Sequence, residues 1–138
     1  MRRLRFPALV TATAGLFGLT AAQRPAVFVQ TSPGLWEVGG VPGTKAPLRQ
    51  CFDDVSQLAQ FEHRNLACTR RITLDGASAA VIDYSCGGAG FGHSEVNLIT
   101  PRSLRIGTQG VSNKLPFNYT LQARRVGDCP NLGAVPRH

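Results

Sequence analysis

Three consecutive residues, His93, Ser94 and Glu95, supply a base, a hydroxyl group and a carboxylate, which are groups that hydrolases combine. Neighbouring residues of a β-strand point to opposite faces, so His93 and Glu95 can share a face that Ser94 cannot join. The chain also has no Gly-x-Ser-x-Gly elbow to present a nucleophile. A complete triad is therefore not predicted, and the remaining catalytic hypothesis is a small hydrolase that uses His93 with a nearby carboxylate.

Two further segments resemble sites but favour structural roles. Asp53 and Asp54 are adjacent carboxylates that precede residues at helical spacing, and we predict that Asp53 caps this helix. The segment 86–94 is rich in glycine, but a strand rather than a helix is predicted after it, which argues against a phosphate loop. We interpret it as a bend between strands and predict no cofactor.

The first 22 residues have the three parts of a secretory signal peptide. Arginines at positions 2, 3 and 5 precede an apolar run from Phe6 to Thr20, and small residues at 20–22 fit a cleavage site. We predict cleavage after Ala22, so that the exported chain begins at Gln23. A membrane anchor is the alternative, but an uncharged stretch of roughly 17 residues is short for a span. We expect a periplasmic or secreted protein with no stable membrane anchor.

Export changes how the charge of the chain is interpreted. The whole sequence has 15 basic and 8 acidic residues, a net charge of +7, but three of the arginines lie in the predicted signal. The remaining charges are dispersed, apart from the pairs Arg70-Arg71 and Arg124-Arg125. We interpret these pairs as solvated strand positions and predict no nucleic-acid partner, with attraction to anionic headgroups as the alternative.

The chain has four cysteines, an even number, and no two of them have Cys-x-x-Cys spacing. In an exported chain this pattern is typical of structural disulfides rather than of metal sites or reactive thiols. We therefore predict two disulfides and no metal site, formed by Cys51, Cys68, Cys86 and Cys129.

Most of the exported chain shows the period-two alternation of half-buried strands. Residues 34–38 form the first such segment, one helix is predicted from Val55, and a meander of strands follows from residue 66. The fold class predicted is mainly β: a single curved antiparallel β-sheet, a meander resembling a half-barrel, with one short helix. We divide the chain into an extended lead at 23–33, one disulfide-stapled β domain at 34–130 and a loose tail at 131–138.

The hairpin around Ala77 predicts how the cysteines pair. Facing residues of an antiparallel pair have a constant sum, so if Ile72 faces Ile82 and Leu74 faces Ala80, Cys68 faces Cys86. Directly opposed residues lie about 4.5 Å apart at Cα, which a disulfide accepts. The bond Cys68–Cys86 leaves Cys51 for Cys129.

Three aromatic residues are candidates for facing a ligand. Trp36 lies in the first strand, and Phe117 and Tyr119 share one face of the last strand. Each has an alternative role in the core, because aromatic side chains contribute large apolar areas to packing.

Several of these features together resemble a known family. They are Pro-Gly-Leu-Trp-Glu at 33–37 soon after a signal peptide, a cysteine just before a short helix, paired cysteines across a hairpin, and Gly-Asp-Cys at 127–129. The chain resembles the small exported proteobacterial proteins of the domain of unknown function 3617 family. The resemblance implies a periplasmic, β-rich, disulfide-containing domain and implies no activity or catalytic residues.

Two functional hypotheses follow from the sequence. The first is a non-catalytic binding module of the cell envelope, whose partner is a small apolar ligand or another envelope component. The second is the hydrolase built on His93. Geometry discriminates them, because a hydrolase needs its histidine within hydrogen-bond reach of a carboxylate or nucleophile in a pocket.

Overall fold

The computed structural model of the chain describes residues 24–130. The predicted signal peptide, its cleavage point at Gln23 and the predicted loose tail lie outside the described residues.

One seven-stranded antiparallel sheet organises the described chain, with the strand order β2-β1-β7-β6-β5-β4-β3. The sheet is open, with β2 and β3 at its edges, and the five strands from β3 to β7 form the predicted meander. The predicted fold class, a mainly β protein with a single antiparallel sheet, is confirmed. The strands are β1 Gly34–Gly39, β2 Leu48–Phe52, β3 Thr69–Asp75, β4 Ala79–Ser85, β5 Gly90–Thr100, β6 Ser103–Ser112 and β7 Leu115–Gly127.

Helical turns cover one face of the sheet. The longest is a 3-10 helix at Val55–His63, and a 3-10 turn at Gly87–Ala89 precedes β5. A helix was predicted from Val55, but it is a 3-10 helix with a kink at Gln60, whose φ of −124° is not helical. The predicted cap at Asp53 is wrong. Asp54 is the N-cap, because its side chain accepts a hydrogen bond from the Ser56 amide at 3.0 Å.

The part of the predicted lead that the structure describes, residues 24–33, is not extended throughout, contrary to the prediction. Ala26–Val29 forms a single turn of helix, α1, that begins after Pro25. Val27 and Phe28 are fully buried, and the Ala26 amide donates a 2.7 Å hydrogen bond to Asp75 Oδ1. The apolar residues of this segment therefore close one end of the core instead of leading to it.

The core lies between these helical turns and one face of the sheet, which we call the inner face. Alternate strand residues point there, as the period-two pattern predicts. Ser94 of β5 donates a 2.6 Å hydrogen bond to the carbonyl of Ala59, which fixes the 3-10 helix to the sheet. The buried apolar residues of the inner face are Trp36, Val38, Phe52, Ala80, Ile82, Tyr84, Val96, Leu104, Ile106, Leu121 and Ala123.

The register of the β3–β4 hairpin agrees with the prediction except near its turn. Ile72 faces Ile82, but a bulge follows, and Leu74 faces Val81 instead of Ala80. The extra residue moves Leu74 away from the core, and its side chain is 49% exposed. The predicted Leu74–Ala80 pair is therefore wrong.

Both predicted disulfides are present. Cys68 is bonded to Cys86 with Cα atoms 4.4 Å apart, and Cys51 is bonded to Cys129 across a sequence separation of 78 residues. The first closes the β3–β4 hairpin at its open end. The second ties the end of the described chain to strand β2. Two disulfides are consistent with an oxidising compartment.

Candidate functional site

An open groove of about 610 Å³ lies at the glycine-rich end of β5, on the face of the sheet that we call the outer face. Strands β4, β5, β6 and β7 all contribute residues to it. The register aligns its polar side chains in one row across these four strands, because Asp83 faces His93, His93 faces Gln109 and Gln109 faces Asn118. Residues of one such row point to the same face. The groove is therefore formed by residues of the strands and not by a loop.

The His93 ring lies between two carboxylates, one near each ring nitrogen. Its Nδ1 is 2.6 Å from Asp83 Oδ1, and its Nε2 is 3.7 Å from Glu95 Oε1. The short contact to Asp83 is a hydrogen bond in which the imidazole N–H donates. The three side chains are between 37% and 68% exposed, so the cluster is solvated. Part of the arrangement that a hydrolase needs is thus present, namely a base oriented by a carboxylate.

An apolar row lies beside the polar one. Phe91 faces Val111 across β5 and β6, and Val111 faces Pro116 across β6 and β7. Phe91 is 55% exposed although it lies on an interior strand of the sheet. The groove therefore offers an aromatic surface on one side and hydrogen-bonding groups on the other.

Two paired glycines, Gly92 and Gly110, let aromatic rings lie close beneath the groove. A Cβ atom at Gly92 would be 2.4 Å from the Tyr84 ring, and one at Gly110 would be 3.0 Å from Cζ of Phe117. Any larger residue at Gly92 would displace the ring of Tyr84. Gly92 of the glycine-rich segment thus permits the close approach of a side chain on the inner face, and Gly87 and Gly88 form the predicted bend as part of the 3-10 turn before β5.

Ser94 lies on the inner face, as the alternation predicts, and therefore cannot act as a nucleophile activated by His93. Its side chain is fully buried, and its hydroxyl donates to the Ala59 carbonyl and contacts Thr108 Oγ1 at 2.9 Å. Within residues 24–130, the hydrogen-bond and ion-pair partners of the His93 ring are the two carboxylates alone. A protein nucleophile is therefore missing from this cluster.

The three aromatic residues predicted to face a ligand all lie on the inner face. Trp36 is fully buried, which agrees with its alternative role in the core. Phe117 borders the groove, but its ring packs edge-on against the buried His63 at a centroid distance of 6.1 Å. Tyr119 donates a 2.7 Å hydrogen bond to Glu62 Oε2 of the 3-10 helix.

Sequence analysis missed Phe91, Val111, Gln109 and Asn118 as groove residues. Phe91 has the same parity as His93, and this alternation was available in the sequence. The positions of Gln109 and Asn118 opposite His93 depend on the register between strands. That register includes a shift between Leu98 and Thr100, which no residue pattern announces.

Burial keeps both tyrosines neutral. It raises the pKa of Tyr84 to about 12, an effect that a hydrogen bond with Thr108 partly opposes. The pKa of Tyr119 is raised further, first by burial and then by its hydrogen bond to Glu62. Neither phenol is therefore available as a base near neutral pH.

The described part of the chain contains no group of three His, Cys, Asp or Glu side chains placed to hold a metal ion. Its helices are all too short or too polar to cross a membrane. In comparisons with known proteins, no family model, curated protein or solved structure matches the chain. The resemblance to the domain of unknown function 3617 family therefore stays a prediction.

Proposed function

We propose that this protein is an exported, non-catalytic binding module of the cell envelope, and that the outer-face groove holds a small, largely apolar molecule. The two disulfides and the predicted signal at residues 1–22 support a periplasmic or secreted location. The incomplete set of groups around His93 favours binding over turnover.

The observation that carries the proposal is the half-exposed ring of Phe91 within the groove. Covering about 100 Å² of apolar surface stabilises a complex by about 2–3 kcal/mol before the costs of association. Val111 extends this surface on the neighbouring strand. A ligand that covers both residues would remove from water one of the larger exposed aromatic areas of the sheet.

The row of polar side chains determines which polar group the ligand must carry next to its apolar part. Asp83 and Glu95 place two carboxylates near His93, so the groove favours a neutral or cationic polar group over an anion. Gln109 and Asn118 are exposed amides that can both donate and accept. We therefore propose a neutral or cationic amphipathic molecule that carries at least one hydrogen-bond donor.

A matched pair of variants tests the proposal with the neutral apolar dye Nile red. Phe91→Ser removes the ring within the groove, and Ile99→Ser removes a side chain of similar exposure, 63%, from the far end of the same strand. Fluorescence titration should give a dissociation constant at least about tenfold weaker for Phe91→Ser and unchanged for Ile99→Ser. Equal losses in the two variants would mean that the dye reports general surface hydrophobicity, and the proposal would fail.

The hydrolase remains a second candidate because His93 Nδ1 is 2.6 Å from Asp83 Oδ1 in a groove. In that function the imidazole would activate a water molecule, with Asp83 orienting the ring. The test is hydrolysis of p-nitrophenyl acetate by the wild type and by His93→Ala. We expect the wild-type rate to be no higher than that of free imidazole at the same concentration. A rate far above that of imidazole that is lost in His93→Ala and reduced in Asp83→Asn would replace binding by catalysis.

A further inference from the structure

A second cavity, of about 580 Å³, lies on the other side of the sheet between the start of the 3-10 helix and edge strand β3. It shares no lining residue with the groove. Its polar lining includes Arg24, Asp54, Gln57 and Arg70, and an apolar wall comes from Leu66 and Ile72. Unlike the groove, it is bordered by a cationic group held in a fixed position.

Arg70 is that group. Its Nε donates a 2.8 Å hydrogen bond to Gln60 Oε1, and its Nη1 donates a 2.8 Å hydrogen bond to Ser56 Oγ. Gln60 is itself fixed, because its Nε2 donates to the carbonyls of His63 and Leu66 at 3.0 and 2.9 Å. Gln60 and Ser56 are both buried, so the guanidinium is positioned by rigid neutral partners.

These two bonds leave part of the guanidinium unused. A guanidinium has five N–H donors, and Arg70 directs two of them to Gln60 and Ser56. Among residues 24–130, Arg70 has no carboxylate within ion-pair distance. Burial lowers the pKa of Arg70 from its ordinary value, and the charge of Asp54 opposes this shift only in part. The arginine stays protonated, so a positive charge is held in a partly desolvated position without a close counter-ion.

Gln57 also lines this cavity, but its Oε1 atom is buried and exposes no surface to a ligand there. Recognition of a polar group in the cavity therefore depends on Arg70.

We propose that this cavity is a binding site for a small organic carboxylate, which accepts hydrogen bonds from the unused N–H groups of Arg70. The planar edge of a guanidinium matches a carboxylate through two parallel hydrogen bonds. Two arginines and one aspartate line the cavity, a net charge of +1 that suits a monoanion better than a phosphate dianion. Leu66 and Ile72 would cover the apolar part of the ligand.

Arg70 and Arg71 provide a matched pair for the test. They are adjacent on β3, but Arg71 points to the outer face and is exposed. The full chain, exported and with its disulfides formed, is titrated with acetate, hexanoate, benzoate, the neutral analogue benzamide and inorganic phosphate at constant ionic strength. The Nε–H signal of Arg70 and the side-chain amide signals of Gln57 are followed by ¹H–¹⁵N NMR.

We expect saturable shifts with at least one carboxylate below about 50 mM and none with benzamide. Arg70→Gln should abolish saturation, and Arg71→Gln should leave the dissociation constant within about twofold. Saturation by phosphate but by no carboxylate, equal losses in the two variants, or no saturation at all would overturn the proposal. None of these outcomes bears on Nile red in the groove.

A second variant keeps the test valid if Arg70→Gln does not fold. Asp54→Asn removes the negative charge from the cavity, and asparagine keeps the cap because it is as good an N-cap as aspartate. Without the repulsion from Asp54, a carboxylate should bind about three- to tenfold more tightly. An unchanged or weaker affinity in this variant would also overturn the proposal.

Discussion

His93 and Ser94 are neighbours in the chain but belong to opposite environments. His93 lies on the outer face in a solvated cluster of carboxylates, and Ser94 is fully buried and joins the sheet to the 3-10 helix. At this point of the sheet, the outer face is therefore open to solvent and the inner face is packed against the 3-10 helix. The difference agrees with the prediction from strand alternation that Ser94 cannot share a face with His93.

The same comparison holds for the larger side chains. Trp36 is fully buried on the inner face, and Phe91 is 55% exposed on the outer face. Trp36 is held by its packing and by a hydrogen bond of 3.3 Å from Nε1 to the Ser32 carbonyl. Phe91 has open space over its ring in the groove. The inner face thus holds the well-packed ring, and the outer face leaves a large ring open to solvent.

The largest expected effect comes from truncating the two aromatic residues. Trp36→Ala should lower the free energy of unfolding by about 3–5 kcal/mol, because it removes a fully buried ring and leaves a cavity. Phe91→Ala should lower it by less than about 1 kcal/mol, because the ring is already half exposed. Urea denaturation followed by circular dichroism measures both. Similar losses would show that the groove contributes to the core.

A smaller difference in the free energy of unfolding is expected between variants of the neighbours Ser94 and His93. Ser94→Ala should cost about 1–3 kcal/mol, because it leaves the buried Ala59 carbonyl without its donor. His93→Ala should change stability by less than about 0.5 kcal/mol, since exposed ion pairs contribute little. The same denaturation assay applies, with His93→Ala as the control. If His93→Ala costs as much as Ser94→Ala, the outer cluster is structural rather than open to a ligand.

Local patterns in the sequence predicted the parts of this fold that depend on alternation. The inward positions of Leu104, Ile106 and Leu121 follow from period two, and parity brought Cys68 opposite Cys86. Export chemistry explains why the cysteines are paired. These features need only the geometry of one strand or of one hairpin.

Features that depend on an added residue or on tertiary packing could not be predicted. A bulge displaced Leu74, and a register shift between Leu98 and Thr100 determined that His93 faces Gln109. A slip of one residue reverses the face of every following side chain. The turn of α1 forms because Val27 and Phe28 reach the core, which no local propensity shows. The cavity around Arg70 likewise depends on contacts between β3 and a helix that lies earlier in the chain.

Alkaline pH provides a test of the inner face alone, because both tyrosines of the chain lie there. The pKa of Tyr84 is raised by burial from 10.0 to about 12, so above pH 10 the unfolded chain loses this proton before the folded chain does. The folded state then binds more protons, and the free energy of unfolding must fall as pH rises. The stabilisation is fully present below pH 10 and is lost as pH approaches about 12.

The expected loss from Tyr84 is about 1–3 kcal/mol between these two pH values. Urea denaturation at a series of pH values, completed before the disulfides react with base, gives the slope. In Tyr84→Phe the slope should be shallower, and the part that remains belongs to Tyr119, whose pKa is also raised by burial. His93→Ala is the matched control, because a change on the outer face leaves the environment of both phenols intact. An identical slope in the wild type and in Tyr84→Phe would mean that the ring of Tyr84 reaches solvent, and the separation of the two faces would not extend beneath the groove.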